Sequence, residues 1–272
     1  MAKRISGKIL YYIGTLGIAA IFLSPLWMVL VNSLKDKKGA SMFGISLPGE
    51  WLFSNYTVVI EEAGVMKAFA NSMILSVGSV LLILICSVMA AFVIARSKSR
   101  MSNIVFYTFL CGLIIPVAFI PTYLVLDTLH LLDTYIGLIL VSATYGLPMS
   151  IFLYVGFMKT IPRELDEAAI LDGCSPLRML FKVIAPLLKP VSVTIIIFNF
   201  VGAWNGIQVP LYFATSDKWG LPLTVYNFYG AHASSWNLIF SDIIITVLPL
   251  LILYIFGQKY IISGMTAGAV KS

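Results

Sequence analysis

The chain has 272 residues, of which 60% are hydrophobic and 11% charged, with a formal net charge of +6 and a mean hydropathy of +0.97. This composition excludes an ordinary water-soluble domain, in which about 25% of the residues are charged. Three scattered cysteines form neither a disulfide framework nor a metal-binding spacing. We interpret the basic charge as a membrane-topology signal and expect no nucleic-acid partner.

Six apolar runs, taken in chain order, are each long enough to cross a bilayer as a helix of about 20 residues. They cover Ile9–Asn32, Phe69–Ala95, Ile104–Leu126, Tyr135–Phe157, Val191–Phe213 and Leu238–Phe256. None of them alternates as a barrel strand does, and a backbone in lipid must satisfy its own hydrogen bonds. The sequence therefore predicts an all-α polytopic membrane protein with six transmembrane helices, in which residues 1–272 form a single transmembrane domain.

The basic residues of the short loops indicate the orientation. The first helix is ambiguous because three basic residues lie on each side of it. The loop after the second run carries Arg96, Lys98 and Arg100, and the polar segment after the fourth run carries five more basic residues. The opposite loops after the first offer only Lys218. Because basic loops stay in the cytoplasm, we expect both chain termini and the polar segment to be cytoplasmic.

The polar segment after the fourth run has the pattern of a helical hairpin. Pro162 suits a helix start, Glu164, Asp166 and Glu167 place negative charge in the first turn, and Gly173 provides a stop. Ser175 and Pro176 then begin a second helix. That helix combines the basic residues Arg178, Lys182 and Lys189 with an apolar stripe of Leu177, Leu180, Phe181 and Ile184. The stripe is suited to a membrane surface or a partner protein.

Within this hairpin the spacing resembles the EAA motif of ABC-importer permeases. Glu167-Ala168-Ala169 is followed by Gly173 six positions after the glutamate and by Pro186 thirteen positions further on. In that family the loop, here 160–190, is a cytoplasmic coupling helix that docks in a groove of the ATP-binding subunit. The resemblance implies the type I ABC importer permease fold. It also implies an ATPase-docking site formed by Glu167, Ala168, Ala169, Asp172, Gly173 and Arg178. The alternative is an amphipathic intracellular loop.

Further stretches are similar to carbohydrate permeases of the maltose and oligosaccharide importer type. These stretches are Asn71-Ser72, Asp133-Thr134-Tyr135, Trp204-Asn205, Pro210-Leu211 and Leu221-Pro222-Leu223. The resemblance implies that a tail with Thr266, Ala267 and Gly268 contacts the ATPase subunits. It also implies that an outer loop with Trp219, Leu221, Pro222 and Tyr226 contacts a binding protein. The cargo implied is a sugar, which the sequence does not name.

Polar groups inside the apolar runs are candidates for a translocation pathway. A charge at the bilayer centre costs roughly 2.5–3.5 kcal/mol on insertion scales, so such groups are seldom accidental. The candidates are Asn199, Trp204, Asn205 and Gln208, with an interfacial role as the alternative for Trp204. Asp242 lies near the end of the last run, where a structural cap and a pathway role are both open.

Nucleophile elbows, HExxH and Walker A sequences are all absent from the chain, so we expect a transport subunit rather than an enzyme. We expect no cofactor or metal on this chain. The resemblance implies a second homologous permease, two ATP-binding subunits carrying ATP and Mg²⁺, and an extracytoplasmic sugar-binding protein, all at a bacterial cytoplasmic membrane. A secondary transporter, a membrane-embedded enzyme and an ABC permease for a non-sugar solute are the alternatives.

Overall fold

A computed structural model describes residues 2–115, 118–230 and 234–269, with side chains for 11–115, 118–230 and 234–258. Every regular element in these residues is helical. In chain order the α-helices are α1 (Ala2–Ser33), α2 (Lys37–Ala40), α3 (Ser54–Glu62), α4 (Val65–Arg96), α5 (Arg100–Cys111), α6 (Phe119–Thr128), α7 (Tyr135–Met158), α8 (Glu164–Leu171), α9 (Pro176–Met179), α10 (Ala185–Leu187), α11 (Lys189–Asn205), α12 (Gln208–Phe213), α13 (Leu221–Thr224) and α14 (Trp236–Ala269). A π-helical turn covers Leu180–Ile184, and 3₁₀ turns cover Ser216–Lys218 and Val225–Asn227.

The chain divides into two compact units. One consists of Met1–Lys67 and Leu221–Pro249, and the other of Ala68–Gly220 and Leu250–Ser272. The first unit therefore holds α1 to α3, α13 and the beginning of α14. The second holds almost all of α4, everything from α5 to α12, and the rest of α14.

In the first unit a buried amide closes the carboxyl end of α1. The last carbonyls of a helix have no partner within the helix and need donors from elsewhere. Asn55 Nδ2 donates at 2.8 Å to Ser33 O, the last carbonyl of α1, and at 2.9 Å to Lys35 O, just beyond the helix. Ser241 Oγ also donates to Ser33 O, at 3.0 Å. Asn55 Oδ1 accepts from Asn237 Nδ2 at 2.9 Å. One side chain of α3 thus joins the ends of α1 and α14.

In the second unit α4, α7 and α11 share one apolar core with the hairpin of residues 160–190. Members of this core from the bundle helices are Ile83, Ala91, Ile94, Ile151, Tyr154, Met158 and Ile195. Members from the hairpin are Ala169, Met179, Leu180, Ile184 and Leu188. The hairpin is therefore a packed part of the unit, and a rigid motion of one requires a motion of the other.

Two of the predicted membrane runs are not continuous helices. Within the described residues four helices are long and apolar enough to cross a membrane: Tyr11–Ser33, Val65–Arg96, Tyr135–Met158 and Trp236–Gln258. A fifth crossing results if Pro176–Leu187 and Lys189–Asn205, bent by 83° at Leu188, form one span. The all-α class is confirmed.

The third predicted run, Ile104–Leu126, is divided between α5 with 12 residues and α6 with 10. Gly112 follows the last residue of α5, and a Cβ there would lie 3.0 Å from Phe109 O and 3.1 Å from Pro148 Cγ. The fifth run, Val191–Phe213, breaks between α11 and α12. Hydropathy averages over such breaks, which is why the sequence predicted unbroken spans.

We predict that Asn55→Ala destabilises the chain by about 2 kcal/mol, because Lys35 O and the Asn237 amide lose a buried partner and Ser33 O loses one of its two side-chain donors. The matched control is Asn227→Ala, which removes an exposed amide. The measurement is thermal unfolding of the purified protein in detergent. Equal midpoints for the two variants would show that the Asn55 amide has no structural role.

Candidate coupling and translocation sites

The turn between the two hairpin helices closes α8 through its backbone. Cys174 N donates to Ala169 O and Gly173 N donates to Ile170 O, each at 2.9 Å, which is the Schellman pattern. Gly173 has φ +74°, a left-handed conformation that is strained for residues with a Cβ. The predicted stop at Gly173 is confirmed, and its reason is this backbone conformation.

The second hairpin helix begins as predicted and then widens. Ser175 caps it by accepting from Arg178 N, and Pro176 occupies its first position. The π-turn follows, with Ala185 N donating to Leu180 O five residues earlier. Pro186 has no N–H, and its ring would crowd the carbonyl four residues before it in a regular helix. The wider turn accommodates this proline, which belongs to the EAA spacing.

The apolar stripe of this helix is not a single contact surface. Leu180 and Ile184 are 1% and 0% exposed and belong to the core. Leu177 and Phe181 are 59% and 50% exposed. Each pair is an i, i+4 row, and the two rows lie side by side around the helix. The prediction that all four residues face a membrane or a partner is corrected, because one row holds the hairpin to its own unit.

An arginine joins the hairpin to two bundle helices. Arg96, the last residue of α4, forms an ion pair with Asp166 of α8, with 2.6 Å between Nε and Oδ2. Its Nη1 also donates to Met158 O at 3.3 Å and Ile161 O at 3.2 Å, at the end of α7. Both charged side chains are only 13% exposed. We name this group, Arg96 with Asp166 and the two carbonyls, the arginine clamp.

The sequence analysis missed this pairing. It assigned Arg96 to membrane topology and Asp166 to the first turn of a helix, although both charges lie at helix ends next to the same core. A charge-assisted pair that is largely shielded from water has a defined geometry and resists salt screening. The clamp fixes the ends of α4 and α7 to the first turn of α8.

The hairpin presents an exposed face that combines acidic and apolar groups. Among the predicted docking residues, those exposed are Glu167, Ala168, Asp172, Gly173 and Arg178. Leu171 and Ile170 lie beside them, 89% and 62% exposed. Ala169 is 5% exposed and packs in the core, so its side chain is corrected from docking to packing. Exposed leucine among carboxylates has the composition of a protein contact surface.

A polar network holds the segment 213–220, which the sequence predicts to lie outside the membrane. Asn71 Nδ2 donates to Asp217 O at 3.0 Å and to Trp219 O at 2.9 Å. The Tyr135 hydroxyl donates to Asn71 Oδ1 at 2.7 Å, which fixes the orientation of the amide. Two stretches that carry the family resemblance, at the beginnings of the second and fourth runs, therefore act on one segment.

Asp133 anchors the same segment from the other side. Its carboxylate accepts from the Thr215 N–H at 3.0 Å and pairs with Lys218 at 3.1 Å. The hydrogen bond from Thr215, reinforced by Lys218, holds the pKa of the Asp133 carboxyl below its usual value. Asp133 has φ +53°, a conformation that aspartate tolerates better than most residues. The segment is thus held from two sides by contacts within this chain.

The predicted binding-protein contacts differ in accessibility. Tyr226 is 46% exposed and Leu221 only 1%. Trp219 and Pro222 are half-buried. Leu221 is therefore corrected to a core residue, since the short helix α13 turns it inward with Leu223.

The predicted pathway residues fall into three environments. Asn199 lines a cavity of about 200 Å³ and donates to Ser150 Oγ and Ile195 O. Trp204 is 2% exposed, with ring centroids 5.9 Å from Phe69 and 5.7 Å from Phe200. Trp204 therefore packs in the protein interior and does not line this cavity.

Asn205 and Gln208 are exposed at the break between α11 and α12. Irregular backbone at membrane depth is tolerated where it is covered by protein or lines a water-filled cavity. The cavity beside Asn199 is also lined by Ser142, Tyr145, Gly202 and Gly206, which were not predicted from the sequence. A search for glycines near Asn199 in the fifth run could have found the last two.

Two further predictions concern a bound metal ion and the carboxyl-terminal tail. In the part of the chain that the structure describes, no group of three or more His, Cys, Asp or Glu residues could hold a metal ion. The tail residues Thr266, Ala267 and Gly268 continue α14 as backbone, and their side chains lie outside the described residues.

Comparisons with known proteins agree over nearly the whole chain. The multiple sugar-binding transport system permease protein of Streptococcus mutans is 35% identical over 268 residues, covering 96% of each chain. The melibiose/raffinose/stachyose import permease protein of Bacillus subtilis is 32% identical over 274 residues, covering 99% of each. A chain in the crystal structure of a bacterial ABC transporter involved in the import of the acidic polysaccharide alginate has the same fold, with a TM-score of 0.80, 24% identity, and coverage of 96% and 98%.

The matching family, described as the binding-protein-dependent transport system inner membrane component, covers residues 83–267. This range includes α7, the hairpin with its arginine clamp, and the cavity at Asn199. The chain belongs to this family of inner membrane transport components.

Proposed function

We propose that this chain is the permease subunit of an ATP-driven, binding-protein-dependent importer of oligosaccharides in a bacterial cytoplasmic membrane. The observation that carries this proposal is the hairpin, whose exposed acidic and apolar face is fixed to α4 and α7 through the arginine clamp. A loop that only connected two helices would need neither the clamp nor the buried row of Leu180 and Ile184. The sugar class is supported by relatives whose names specify melibiose, raffinose and stachyose or arabinooligosaccharides.

The proposed assembly contains a second homologous permease, two ATP-binding subunits that carry ATP and Mg²⁺, and an extracytoplasmic binding protein. Glu167, Ala168, Asp172, Gly173 and Arg178 would form the face that docks on an ATP-binding subunit. The tail with Thr266, Ala267 and Gly268 would extend toward the same subunits. Both termini would be cytoplasmic, and residues 1–272 would serve as one transmembrane domain.

We propose alternating access as the mechanism, with the hairpin as its lever. When the ATP-binding subunits close, they move the docked face of α8. The arginine clamp and the shared core then move the cytoplasmic ends of α4 and α7 by the same displacement. ATP binding can shift the bundle only because the docked subunits bind one state better than the other.

The solute would pass along the break in the fifth run. Asn199, Asn205 and Gln208 present amide groups there, and amides both donate to and accept from sugar hydroxyls. These amide groups are uncharged, which suits an uncharged cargo, because no ion pair has to form or break as the cargo passes. The glycines Gly202 and Gly206 leave room for a solute beside Asn199.

The segment 213–220 and the following Tyr226 would contact the binding protein. The Asn71 and Asp133 hydrogen bonds fix the segment in advance, which reduces the conformational entropy lost on docking. Trp219, Pro222 and Tyr226 would supply the partly exposed contact groups.

Glu167→Lys should reduce co-purification of the ATP-binding subunits roughly tenfold or more, because an attractive contact becomes repulsive. Glu61→Lys is the matched control, since Glu61 is equally exposed but lies in α3. Co-purification is measured by affinity capture of the permease from detergent-solubilised membranes. Undiminished recovery with Glu167→Lys, together with normal sugar uptake, would refute the docking role.

Cysteines introduced at Ser175 and Ser216 test the orientation and the outer contact together. In a background without Cys86, Cys111 and Cys174, position 216 should react with an impermeant thiol reagent in intact cells and position 175 only in opened cells. Added binding protein should protect position 216. Labelling of position 175 in intact cells would contradict the proposed orientation. Labelling of position 216 that is the same with and without binding protein would contradict the proposed outer contact.

A further inference from the structure

Asp242 is a buried acid that the proposed transport mechanism does not use. It lies in α14, where its side chain is 1% exposed. Its carboxyl oxygens are 2.9 and 3.0 Å from Thr224 Oγ1, in the short helix α13. At this burial Asp242 is not accessible to a solute in this conformation, which favours the structural one of the two roles left open by the sequence.

The hydrogen atoms at this site can be counted. Thr224 Oγ1 lies 2.6 Å from Leu221 O, a short distance for a hydroxyl and a carbonyl, and a backbone carbonyl can only accept. Leu221 O is the nearest of the three acceptors, so we assign the single hydroxyl hydrogen of Thr224 to it. Thr246 Oγ1 is a more distant donor to the same carbonyl, at 3.4 Å. An ionised Asp242 could also only accept, and no hydrogen would remain between its oxygens and Thr224 Oγ1.

The surroundings do not compensate a negative charge on Asp242. Throughout the described residues, the carboxyl forms no ion pair and has no hydrogen-bond partner besides Thr224. The buried cation of the same unit, Lys35, donates to Asn32 Oδ1 and Gly44 O. An ionised carboxylate without donors is strongly disfavoured in such a site, and the neutral acid is the stable form.

We propose that Asp242 is a neutral carboxylic acid in the folded protein at neutral pH, and that its hydroxyl donates to Thr224 Oγ1. Thr224 in turn donates to Leu221 O, so all three groups are satisfied by two hydrogens. This relay from Asp242 through Thr224 to Leu221 attaches α13 to α14. Asp242 is thus a positioning residue for the chain that follows segment 213–220, and its effect on transport rests on the proposed function.

Infrared spectroscopy observes the proton directly. The carbonyl stretch of a protonated carboxyl group is separated from the carboxylate and amide bands. We expect such a band in the assembled transporter, purified at neutral pH in a maltoside detergent without ester groups. Asp242→Asn should abolish it. The control Asp127→Asn, which removes an exposed carboxylate, should leave it unchanged.

Thr224→Val distinguishes a hydrogen-bonded acid from one that is merely buried. Valine has the same shape but accepts no hydrogen bond, so the band should persist and shift to higher frequency. Thr224→Ser should restore the wild-type frequency. Absence of any band lost specifically in Asp242→Asn, or an unchanged frequency in Thr224→Val, would overturn the proposal.

Stability supplies a second readout that does not depend on transport. Asp242→Asn keeps a donor for Thr224 and should unfold near the wild-type temperature, whereas Asp242→Leu should unfold at a lower one. An uncompensated carboxylate would give the opposite result, a higher temperature for Asp242→Leu. If the infrared band and the order of unfolding temperatures are as expected but the transporter imports no sugar, the proposed function is wrong. The proposal that Asp242 is a neutral acid would still hold in that case.

Discussion

The guanidinium group of Arg96 is the constraint on which the second unit depends. Helices α4 and α7 end near the beginning of α8, and the carboxyl ends of helices leave carbonyls that need donors. Arg96 supplies donors to Met158 O and Ile161 O and pairs with Asp166 at the same time. Its planar fork serves three partners in fixed directions, which a lysine could not do. This side chain and the shared apolar core together fix the position of α8 relative to α4 and α7.

Two backbone constraints in the hairpin determine which of its side chains face the core and which stay exposed. Gly173 supplies a left-handed residue between α8 and α9, and Pro186 enforces a π-turn before α10. Together they turn Leu180 and Ile184 into the core while leaving Leu171 and Glu167 exposed. The face that is proposed to dock on a partner is thereby held by a row packed in the core. In the proposed mechanism this combination allows a force applied at α8 to reach the bundle.

Much of this structure could be predicted from the sequence, because helical spans and the EAA spacing are local patterns. The restart at Ser175 and the stop at Gly173 depend on residues next to one another. The clamp could not be predicted, since Arg96 and Asp166 are 70 positions apart and each had a sufficient local explanation. Burial of Leu221 and Trp204 was also missed, because an aromatic or aliphatic residue near a span end looks the same whether it faces lipid, a partner or a core.

The central claim is that the arginine clamp transmits motion between the docked hairpin and the membrane helices. The most direct measurement compares Arg96→Ala with Arg100→Ala, an exposed arginine at the start of α5, for both sugar uptake and recovery of the ATP-binding subunits. We predict that Arg96→Ala retains the ATP-binding subunits but lowers uptake roughly ten- to hundredfold, the range of a typical coupling energy, while Arg100→Ala does neither. Uptake at the wild-type level in Arg96→Ala, with the subunits still bound, would contradict the account.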